Sequence, residues 1–146
     1  MVESIGSVLG KKGHEIHSVA PEATVYDAIS LMASKNVAAV LVISGGNMVG
    51  IISARDYGRK VILAEKSSRD VRVQEIMTTS LITVTPETTV LDAMALMTRH
   101  HIRHLPVLKE GKLDGLVTMA DLVSEVISGQ AFTIDQLHTY ISGSQH

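Results

Sequence analysis

The chain has 146 residues, of which 45% are hydrophobic, 19% are charged and 3% are aromatic. This composition predicts a globular protein with an aliphatic core and excludes a mainly disordered chain. The formal net charge is −2 and cysteine is absent, which argues against nucleic acid as a partner and excludes disulfides and thiolate metal sites. Since the sequence also lacks a signal peptide and a membrane-spanning stretch, we expect a cytoplasmic protein without a membrane partner.

The chain carries an internal repeat. Residues 15–62 match residues 80–127 without a gap at 15 of 48 positions. Each copy predicts the same order of elements, namely a strand, a helix, two strands in a hairpin, and a second helix. The fold class is therefore mixed α+β, with two pseudo-symmetric βαββα repeats. The predicted strands are residues 16–19, 38–43 and 48–52 in the first copy and residues 81–84, 104–108 and 113–117 in the second.

A threonine and an aspartate three residues apart open the first helix of each copy. Thr24 and Asp27 in the first copy, and Thr89 and Asp92 in the second, have the spacing of a capping box. Apolar residues then recur at helical spacing, which predicts a helix with one buried face. Two further short helices are predicted, near residues 4–9 and at residues 73–77.

A polar and charged stretch between the copies predicts a linker. Each copy forms a small sheet with helices on one side, so we expect the open apolar faces of the two copies to cover each other about a pseudo-two-fold axis. The predicted divisions are residues 1–64 for the first repeat with an N-terminal helix, 65–72 for the linker, 73–128 for the second repeat, and 129–146 for a C-terminal helix and tail.

The end of the third strand in each copy carries the candidate chemistry. A hydroxyl residue is followed there by an aspartate three positions later, as Ser53 and Asp56 in the first copy and Thr118 and Asp121 in the second. The simplest interpretation is a capping box that satisfies the free N–H groups of a helix start. The alternative is a ligand site, in which the hydroxyl and the N–H groups hold a phosphate while the carboxylate accepts hydrogen bonds from a ribose.

The combined pattern is similar to that of the cystathionine-β-synthase (CBS) domain. The resemblance is carried by Gly-h-h-Ser/Thr-x-x-Asp, where h is apolar, and by Val-x-Pro-Glu-x-Thr-Val-x-Asp-Ala ahead of it. Two such domains in tandem, over residues 15–127, resemble a stand-alone Bateman module. The resemblance implies a regulatory sensor that binds AMP, ADP or ATP, has no catalytic activity, forms a homodimer and has an unidentified effector protein as a further partner.

The resemblance also implies which residues contact the ligand. The hydroxyl and the aspartate of each copy are assigned to phosphate and ribose, and residues of the first and second strands enclose the adenine. The full set of predicted ligand-binding residues, which includes three basic side chains, is Ser18, Val37, Ala38, Ala39, Ser53, Arg55, Asp56, Thr78, Thr83, Ile102, Arg103, His104, Thr118 and Asp121.

The basic residues are divided unequally between the copies. The first copy carries Arg55 and two further cations on its second helix, whereas the second copy carries Arg-His-His-Ile-Arg-His at residues 99–104. If the copies pack head to tail, both groups face one cleft. Arg55, Arg103 and His104 are therefore predicted to contact the same phosphate.

Arg99, His100 and His101 lie at the predicted end of the first helix of the second copy. Positive charge complements the helix dipole there, which is the interpretation that we favour. A metal site is the alternative, but the adjacent histidines point in different directions and no acidic residue accompanies them. We therefore predict no metal site.

Three other functions compete with that of an adenine-nucleotide sensor. A site for NAD or NADH would use the same adenosine contacts, although the glycine-rich dinucleotide turn is absent. A homodimeric interaction scaffold with vacant sites would need only the capping boxes. A nucleotide hydrolase would use the histidine-rich segment, but no nucleophile with a positioned base is recognisable.

Overall fold

The computed structural model of the chain describes residues 3–128, which divide into two compact units. The first unit is Glu15–Ile82, and the second comprises residues 3–14 together with residues 83–128. Each unit contains one copy of the repeat, but the flanking segments differ from the predicted divisions. The N-terminal helix belongs with the second copy, and residues 73–77 belong with the first. The packing of the two copies about a pseudo-two-fold axis stays a prediction.

The elements follow the predicted order in both units. In chain order they are α1 (Ile5–Lys12), β1 (Ser18–Val19), α2 (Val25–Lys35), β2 (Ala39–Ser44), β3 (Asn47–Ser53), α3 (Ala54–Tyr57), a π-helical segment (Gly58–Ile62), α4 (Val73–Ile76), α5 (Val90–His100), β4 (His104–Lys109), β5 (Lys112–Thr118) and α6 (Met119–Ser128).

The sheets of the two units differ at their first strand. In the first unit β1 pairs in parallel with β2, and the Leu41 N–H donates to His17 O at 3.0 Å. In the second unit only β4 and β5 form a sheet, and the predicted first strand is reduced to a bridge between Val84 and Val107. Pro106 stands where the first copy has Leu41, and proline has no N–H with which to form the equivalent bond.

Both predicted hairpins are present, and two-residue turns close them because Ser44 pairs with Asn47 and Lys109 with Lys112. Gly45 and Gly46 have φ values of 59° and 82°, and Glu110 and Gly111 have values of 52° and 78°. Positive φ at both central residues is the geometry that matches the twist of the flanking strands in a tight hairpin. The hairpin pairs antiparallel strands in each unit, β2 with β3 and β4 with β5.

The predicted apolar face of the first helix in each copy forms part of the core. In the first unit Val25, Ala28 and Met32 are buried, together with strand residues such as Val40 and Val42. The second unit buries the equivalent helix residues, Val90, Ala93 and Met97. Burying an aliphatic side chain of this size contributes about 1.5–3 kcal/mol, so this face holds each helix on its sheet.

A helical segment from outside the repeat docks on each copy through the same backbone hydrogen bonds. In both units the start of the segment donates to the turn that precedes the first helix. These bonds run from Val73 N to Ala23 O (2.8 Å) and from Gln74 N to Pro21 O (3.0 Å) in the first unit, and from Ile5 N to Thr88 O (2.8 Å) and from Gly6 N to Pro86 O (2.9 Å) in the second. The segments containing α4 and α1 are therefore structural equivalents.

A glycine of the third strand leaves room for each docked segment. A Cβ atom on Gly50 would lie 2.6 Å from Met77 Sδ, and one on Gly115 would lie 2.8 Å from Leu9 Cδ2. The two docked side chains differ in burial, because Leu9 is fully buried whereas Met77 is half-buried.

The two docked segments also differ in length. After the four residues of α4 the chain is extended, and Thr78 forms a bridge with Ile51. The α1 helix instead has eight residues and ends at Lys12, with Gly13 at a φ of 101° as its C-cap. The additional turn carries Lys11 and Lys12, which have no counterpart on α4.

No helix of residues 3–128 is long and apolar enough to cross a membrane. The longest of them, α2 and α5, have 11 residues each. The C-terminal helix and tail predicted at residues 129–146 lie outside the described residues.

Candidate functional site

Ser53 ends β3 and forms a complete capping box with Asp56. The Ser53 N–H donates to Asp56 Oδ2 at 2.9 Å, and the Asp56 N–H donates to Ser53 Oγ at 3.2 Å. The Ser53 hydroxyl also donates to Asp56 Oδ2, at 3.1 Å. Both residues are half-buried. The carboxylate is thus held in one orientation while part of it stays accessible to solvent.

Thr118 and Asp121 form the same box at the start of α6. The Thr118 N–H donates to Asp121 Oδ2 at 2.8 Å, and the Asp121 N–H donates to Thr118 Oγ1 at 3.0 Å. Both residues are again half-buried. The two copies therefore present a hydroxyl and a carboxylate in equivalent geometry.

The threonine caps at the start of α2 and α5 differ from these two boxes in the burial of the aspartate. The Asp27 N–H donates to Thr24 Oγ1 at 3.1 Å, and the Asp92 N–H donates to Thr89 Oγ1 at 3.0 Å. Asp27 and Asp92 are exposed, and the cap is formed there by the threonine hydroxyl. Burial of the aspartate thus distinguishes the two boxes that follow a strand from the two threonine caps that follow a turn.

An ammonium group lies beside the Asp56 carboxylate. Lys60 Nζ is 3.3 Å from Asp56 Oδ1 and donates to Ile76 O at 2.8 Å. Lys60 lies one helical turn after Asp56, where side chains four residues apart are neighbours. In the first unit the positive charge beside the carboxylate therefore comes from the same helical stretch that carries the carboxylate.

The Asp121 carboxylate has an ammonium partner from a different element. Lys12, at the end of α1, places its Nζ 2.5 Å from Asp121 Oδ2 and donates to Leu116 O at 2.7 Å. The side chains of Lys12 and Asp121 are 34% and 24% exposed, so this pair is only partly screened by water.

Lys11 binds a second carboxylate of α6. Lys11 Nζ is 2.8 Å from Glu125 Oε1, and the Glu125 side chain is 6% exposed whereas that of Lys11 is 63% exposed. The hydrogen bond to Glu125 raises the pKa of Lys11 above its ordinary value. Lys11 and Lys12 thus attach the last turn of α1 to α6.

The start of β2 lies beside the capping box of the first unit. Ala39 is the register partner of Ser53 in the β2–β3 hairpin. The Ala54 N–H donates to Ala38 O at 2.9 Å. Ala38 is exposed and Ala39 is buried. The structure therefore brings these two predicted residues next to the hydroxyl and the carboxylate.

The second unit has the same arrangement at the start of β4. His104 is the register partner of Thr118, and the Met119 N–H donates to Arg103 O at 2.9 Å. His104 is half-buried and Arg103 is exposed. Their backbones lie beside the capping box in the positions that Ala39 and Ala38 occupy in the first unit.

The remaining predicted residues lie along the neighbouring segments. Thr78 is half-buried and forms a bridge with Ile51, two residues before the box of the first unit. Ser18 in β1 and Thr83 just before the Val84 bridge are both exposed. Val37 and Ile102 are half-buried where a helix leads into the central strand. The contribution of each residue to ligand binding stays a prediction.

The CBS domain family model matches residues 11–60 and 73–128, which together make up more than half of the chain. The chain belongs to the CBS domain family. The assignment expected from the sequence motifs is thereby confirmed, and so is the mixed α and β fold. CBS domain pairs are generally regulatory modules that bind adenosine-containing ligands, and they often form oligomers.

The CBS repeats of this chain are similar to those of proteins from plants and bacteria. The CBS domain-containing protein CBSX3, mitochondrial, of Arabidopsis thaliana is 45% identical over 125 residues, which cover 82% of this chain and 61% of that relative. The chain thus spans less than two thirds of that relative's length. A CBS-domain protein of Burkholderia ambifaria MC40-6 has a solved structure with 47% identity and a TM-score of 0.85, covering 90% of this chain and 98% of that chain.

A more distant neighbour shares the fold alone. The hexameric CBS-CP12 protein from bloom-forming cyanobacteria is 23% identical, with a TM-score of 0.78, and the match covers 99% of this chain and 86% of that chain.

Three predicted phosphate partners lie near the boxes of their own CBS repeats. Arg55 is exposed on α3, between the two residues of the first box, whereas Arg103 and His104 lie beside the second box. A common cleft for the three side chains depends on the arrangement of the two units, so that cleft stays a prediction.

The cluster of basic residues at the end of α5 occupies a helix terminus. Arg99 and His100 lie in the last turn, and His101 is the left-handed C-cap with a φ of 55°. This position fits the interpretation that they complement the helix end. Among the described residues, no three histidine, aspartate or glutamate side chains are grouped as metal ligands.

The two lysines that contact the aspartates are absent from the predicted ligand-binding residues, although Lys60 is one of the basic residues of the second helix predicted to face the cleft. Lys60 was recognisable, because it follows Asp56 by four residues on one helix face. Lys12 and Asp121 are 109 residues apart, and no local pattern links them. Their pairing depends on α1 docking on the second CBS repeat.

Proposed function

We propose that this protein is a regulatory CBS module that binds AMP, ADP or ATP and has no reaction of its own. The observation that carries the proposal is the half-buried hydroxyl and carboxylate at the end of β3 and again at the end of β5. The same sequence spacing at α2 and α5 leaves the carboxylate exposed. A half-buried aspartate next to the central strand is therefore a property of the proposed sites and not of this sequence spacing in general.

The chemistry of each site suits a phosphorylated ribose. A carboxylate accepts hydrogen bonds from two neighbouring hydroxyls, as acidic residues do in dinucleotide folds. A capping hydroxyl and the first N–H groups of a helix favour a phosphate. The start of the central strand lies beside them and would contact the adenine, through Ala38 and Ala39 in the first unit and through Arg103 and His104 in the second. Because Asp56 and Asp121 already accept N–H donors, they suit hydrogen-bond acceptance better than proton transfer.

Thermal melts with adenine compounds test the proposal. AMP, ADP or ATP at 100 times its dissociation constant would stabilise the protein by about 2.7 kcal/mol and raise Tm by several degrees. Asp56→Asn and Asp121→Asn are expected each to remove binding at one site, because the amide keeps one acceptor for the cap but loses the carboxylate charge. The double variant is expected to show no shift with any of the three nucleotides.

Asp27→Asn and Asp92→Asn are the matched controls. They change the same residue type three positions after an N-cap hydroxyl, but on α2 and α5, and are expected to respond to the nucleotide like the wild type. A double Asp56/Asp121 variant that keeps the full shift would contradict the proposed sites. A wild type that responds to no adenine compound would contradict the proposed function and favour the scaffold.

Ligand titrations and ATP turnover also distinguish two alternative functions, binding of NAD or NADH and hydrolysis of a nucleotide. NAD and NADH share the adenosine half of the ligand, so a larger shift with either of them than with the mononucleotides would make the dinucleotide the ligand. Phosphate release from ATP that is lost in His100→Ala would instead indicate a hydrolase. The absence of both results is expected.

We further propose a homodimer, in keeping with the oligomers that CBS pairs often form. The support is that each unit exposes apolar side chains at equivalent helix positions, Tyr26 and Ile62 in the first unit and Leu91 and Ile127 in the second. Sedimentation equilibrium distinguishes a dimer from a hexamer, the state named for the cyanobacterial neighbour. An effector protein and a cytoplasmic location also stay predictions. The name of the Arabidopsis relative places that protein in the mitochondrion.

A further inference from the structure

The charge at one helix position is reversed between the two CBS repeats. Lys60 in the first repeat corresponds to Glu125 in the second, 65 residues later. Lys60 Nζ lies 3.3 Å from Asp56 Oδ1. The first repeat therefore carries an ammonium next to the carboxylate that is proposed to bind the ribose. Glu125 is buried and bound to Lys11, and it supplies a negative charge where the first repeat has a positive one. The second repeat therefore needs another source of positive charge beside Asp121.

Lys12 supplies that charge from α1. Its Nζ lies 2.5 Å from Asp121 Oδ2 and 2.7 Å from Leu116 O, at the point where β5 passes into α6. It reaches this point because α1 is longer than α4 and ends beside α6. An ammonium has three N–H donors, and these two acceptors use two of them. The Lys12 side chain is 34% exposed, so the ammonium is accessible to a ligand.

A nucleotide places opposing demands on the Asp121 carboxylate. Its ribose hydroxyls donate to the carboxylate, but its phosphate lies within the length of one nucleotide and is repelled by the same negative charge. The repulsion is stronger at a half-buried site than in bulk water. An ammonium in contact with the carboxylate offsets that charge and offers the phosphate a point-charge partner. Adenosine lacks the phosphate and does not require this partner.

We propose that Lys12 is the phosphate-recognising residue of the second CBS repeat and makes that site prefer phosphorylated over unphosphorylated adenosine. Lys60 has the same role in the first repeat. The inference rests on the proposed nucleotide binding. It makes α1, which precedes the first repeat in sequence, a part of the ligand site of the second.

Isothermal titration of the Asp56→Asn protein tests the inference, because only the second site then binds. Lys12→Gln in this background is expected to lower the affinity for AMP about tenfold or more. This is the loss expected for one charge-assisted hydrogen bond. Adenosine affinity is expected to stay nearly unchanged, and Lys12→Arg is expected to keep most of the AMP affinity. In the Asp121→Asn background, Lys60→Gln is expected to lower the affinity for AMP by a similar factor.

Lys112→Gln is the control for the loss of one positive charge. Lys112 is exposed at the opposite end of β5 from Thr118, and its replacement is expected to leave AMP affinity unchanged. Equal weakening of AMP and adenosine by Lys12→Gln would assign Lys12 to the docking of α1 and overturn the inference. Tighter or unchanged AMP binding would overturn it as well, and so would AMP that binds the wild type but not the Asp56→Asn protein. If AMP does not bind even the wild type, the proposed function itself fails.

Discussion

The two CBS repeats share their backbone contacts but obtain one charge from different elements. Both dock a helical segment through equivalent N–H to carbonyl bonds, and both hold their aspartate in the same capping box. The ammonium beside the aspartate comes from Lys60 in one repeat and from Lys12 in the other. A packed backbone tolerates little displacement, whereas a lysine on a flexible stem needs only to reach its partner. Duplicated units can therefore keep their geometry while the source of a charge moves.

The docked segments should differ most in what they contribute to stability. Leu9→Ala is expected to cost about 2–5 kcal/mol, because Leu9 is fully buried and its removal leaves a cavity beside Gly115. Met77→Ala is expected to cost less, since Met77 is half-buried and lies against the edge of the first core. Urea unfolding followed by circular dichroism measures both. A larger cost for Met77→Ala would contradict the prediction that Leu9 contributes more to stability than Met77.

Gly50 and Gly115 are the strand residues that face the docked segments, so substitutions at these glycines also test the docking. Gly115→Ala would place a Cβ 2.8 Å from Leu9 Cδ2, and Gly50→Ala would place one 2.6 Å from Met77 Sδ and 3.1 Å from Thr78 O. Each is expected to cost about 1–3 kcal/mol by overpacking, again measured by urea unfolding.

Gly10→Ala is the control for these glycine variants. Gly10 lies within α1, and apart from its neighbours and the backbone of its own helix a Cβ there meets no atom of the described residues within 4 Å. Alanine is expected to stabilise the helix by as much as about 1 kcal/mol. Stability that is unchanged or higher in Gly115→Ala would contradict the close approach of α1 to β5.

The smallest effect in this series is expected at the Lys11 and Glu125 pair. Lys11→Met is expected to lower Tm slightly, because Lys11 is largely exposed and water screens its charge. The hydrogen bond to Glu125 raises the pKa of Lys11 above the ordinary value of 10.5. The stabilisation is thus fully present below pH 10.5 and is lost as the pH rises through the raised pKa.

Melting curves at several pH values check that sign. The difference in Tm between the wild type and Lys11→Met should be constant from about pH 7 to pH 9 and should shrink only in strongly alkaline solution. A difference that already disappears near neutral pH would indicate that another group is responsible. Lys66→Met is the matched control, because Lys66 lies exposed in the linker.

Several features of the fold were predictable because they depend on local sequence. The positive-φ hairpin turns at Gly45-Gly46 and Glu110-Gly111 require residues that tolerate that backbone conformation. Helix starts followed from hydroxyl and aspartate residues three positions apart. The loss of the first strand in the second copy also had a local cause, since Pro106 lacks the N–H that Leu41 uses.

The site was predictable only in part, for the same reason. Ser53 and Asp56, like Thr118 and Asp121, are neighbours on one helical turn, so their spacing was enough to place them together. The lysines that neutralise the aspartates could not both be found in this way. Lys60 lies on the same helical stretch as Asp56, but Lys12 contacts Asp121 across 109 residues of sequence.

The sequence by itself therefore determined the duplication, the order of elements and the two capping boxes, because each depends on hydrogen bonds and periodicities that span a few residues. Only the tertiary structure decided which repeat each flanking helix completes. That choice depends on the packing of Leu9 under Gly115 and of Met77 under Gly50, and such contacts between distant segments leave no local pattern. It also decided that α1 brings Lys12 to Asp121, and thus how the two otherwise similar sites differ in charge.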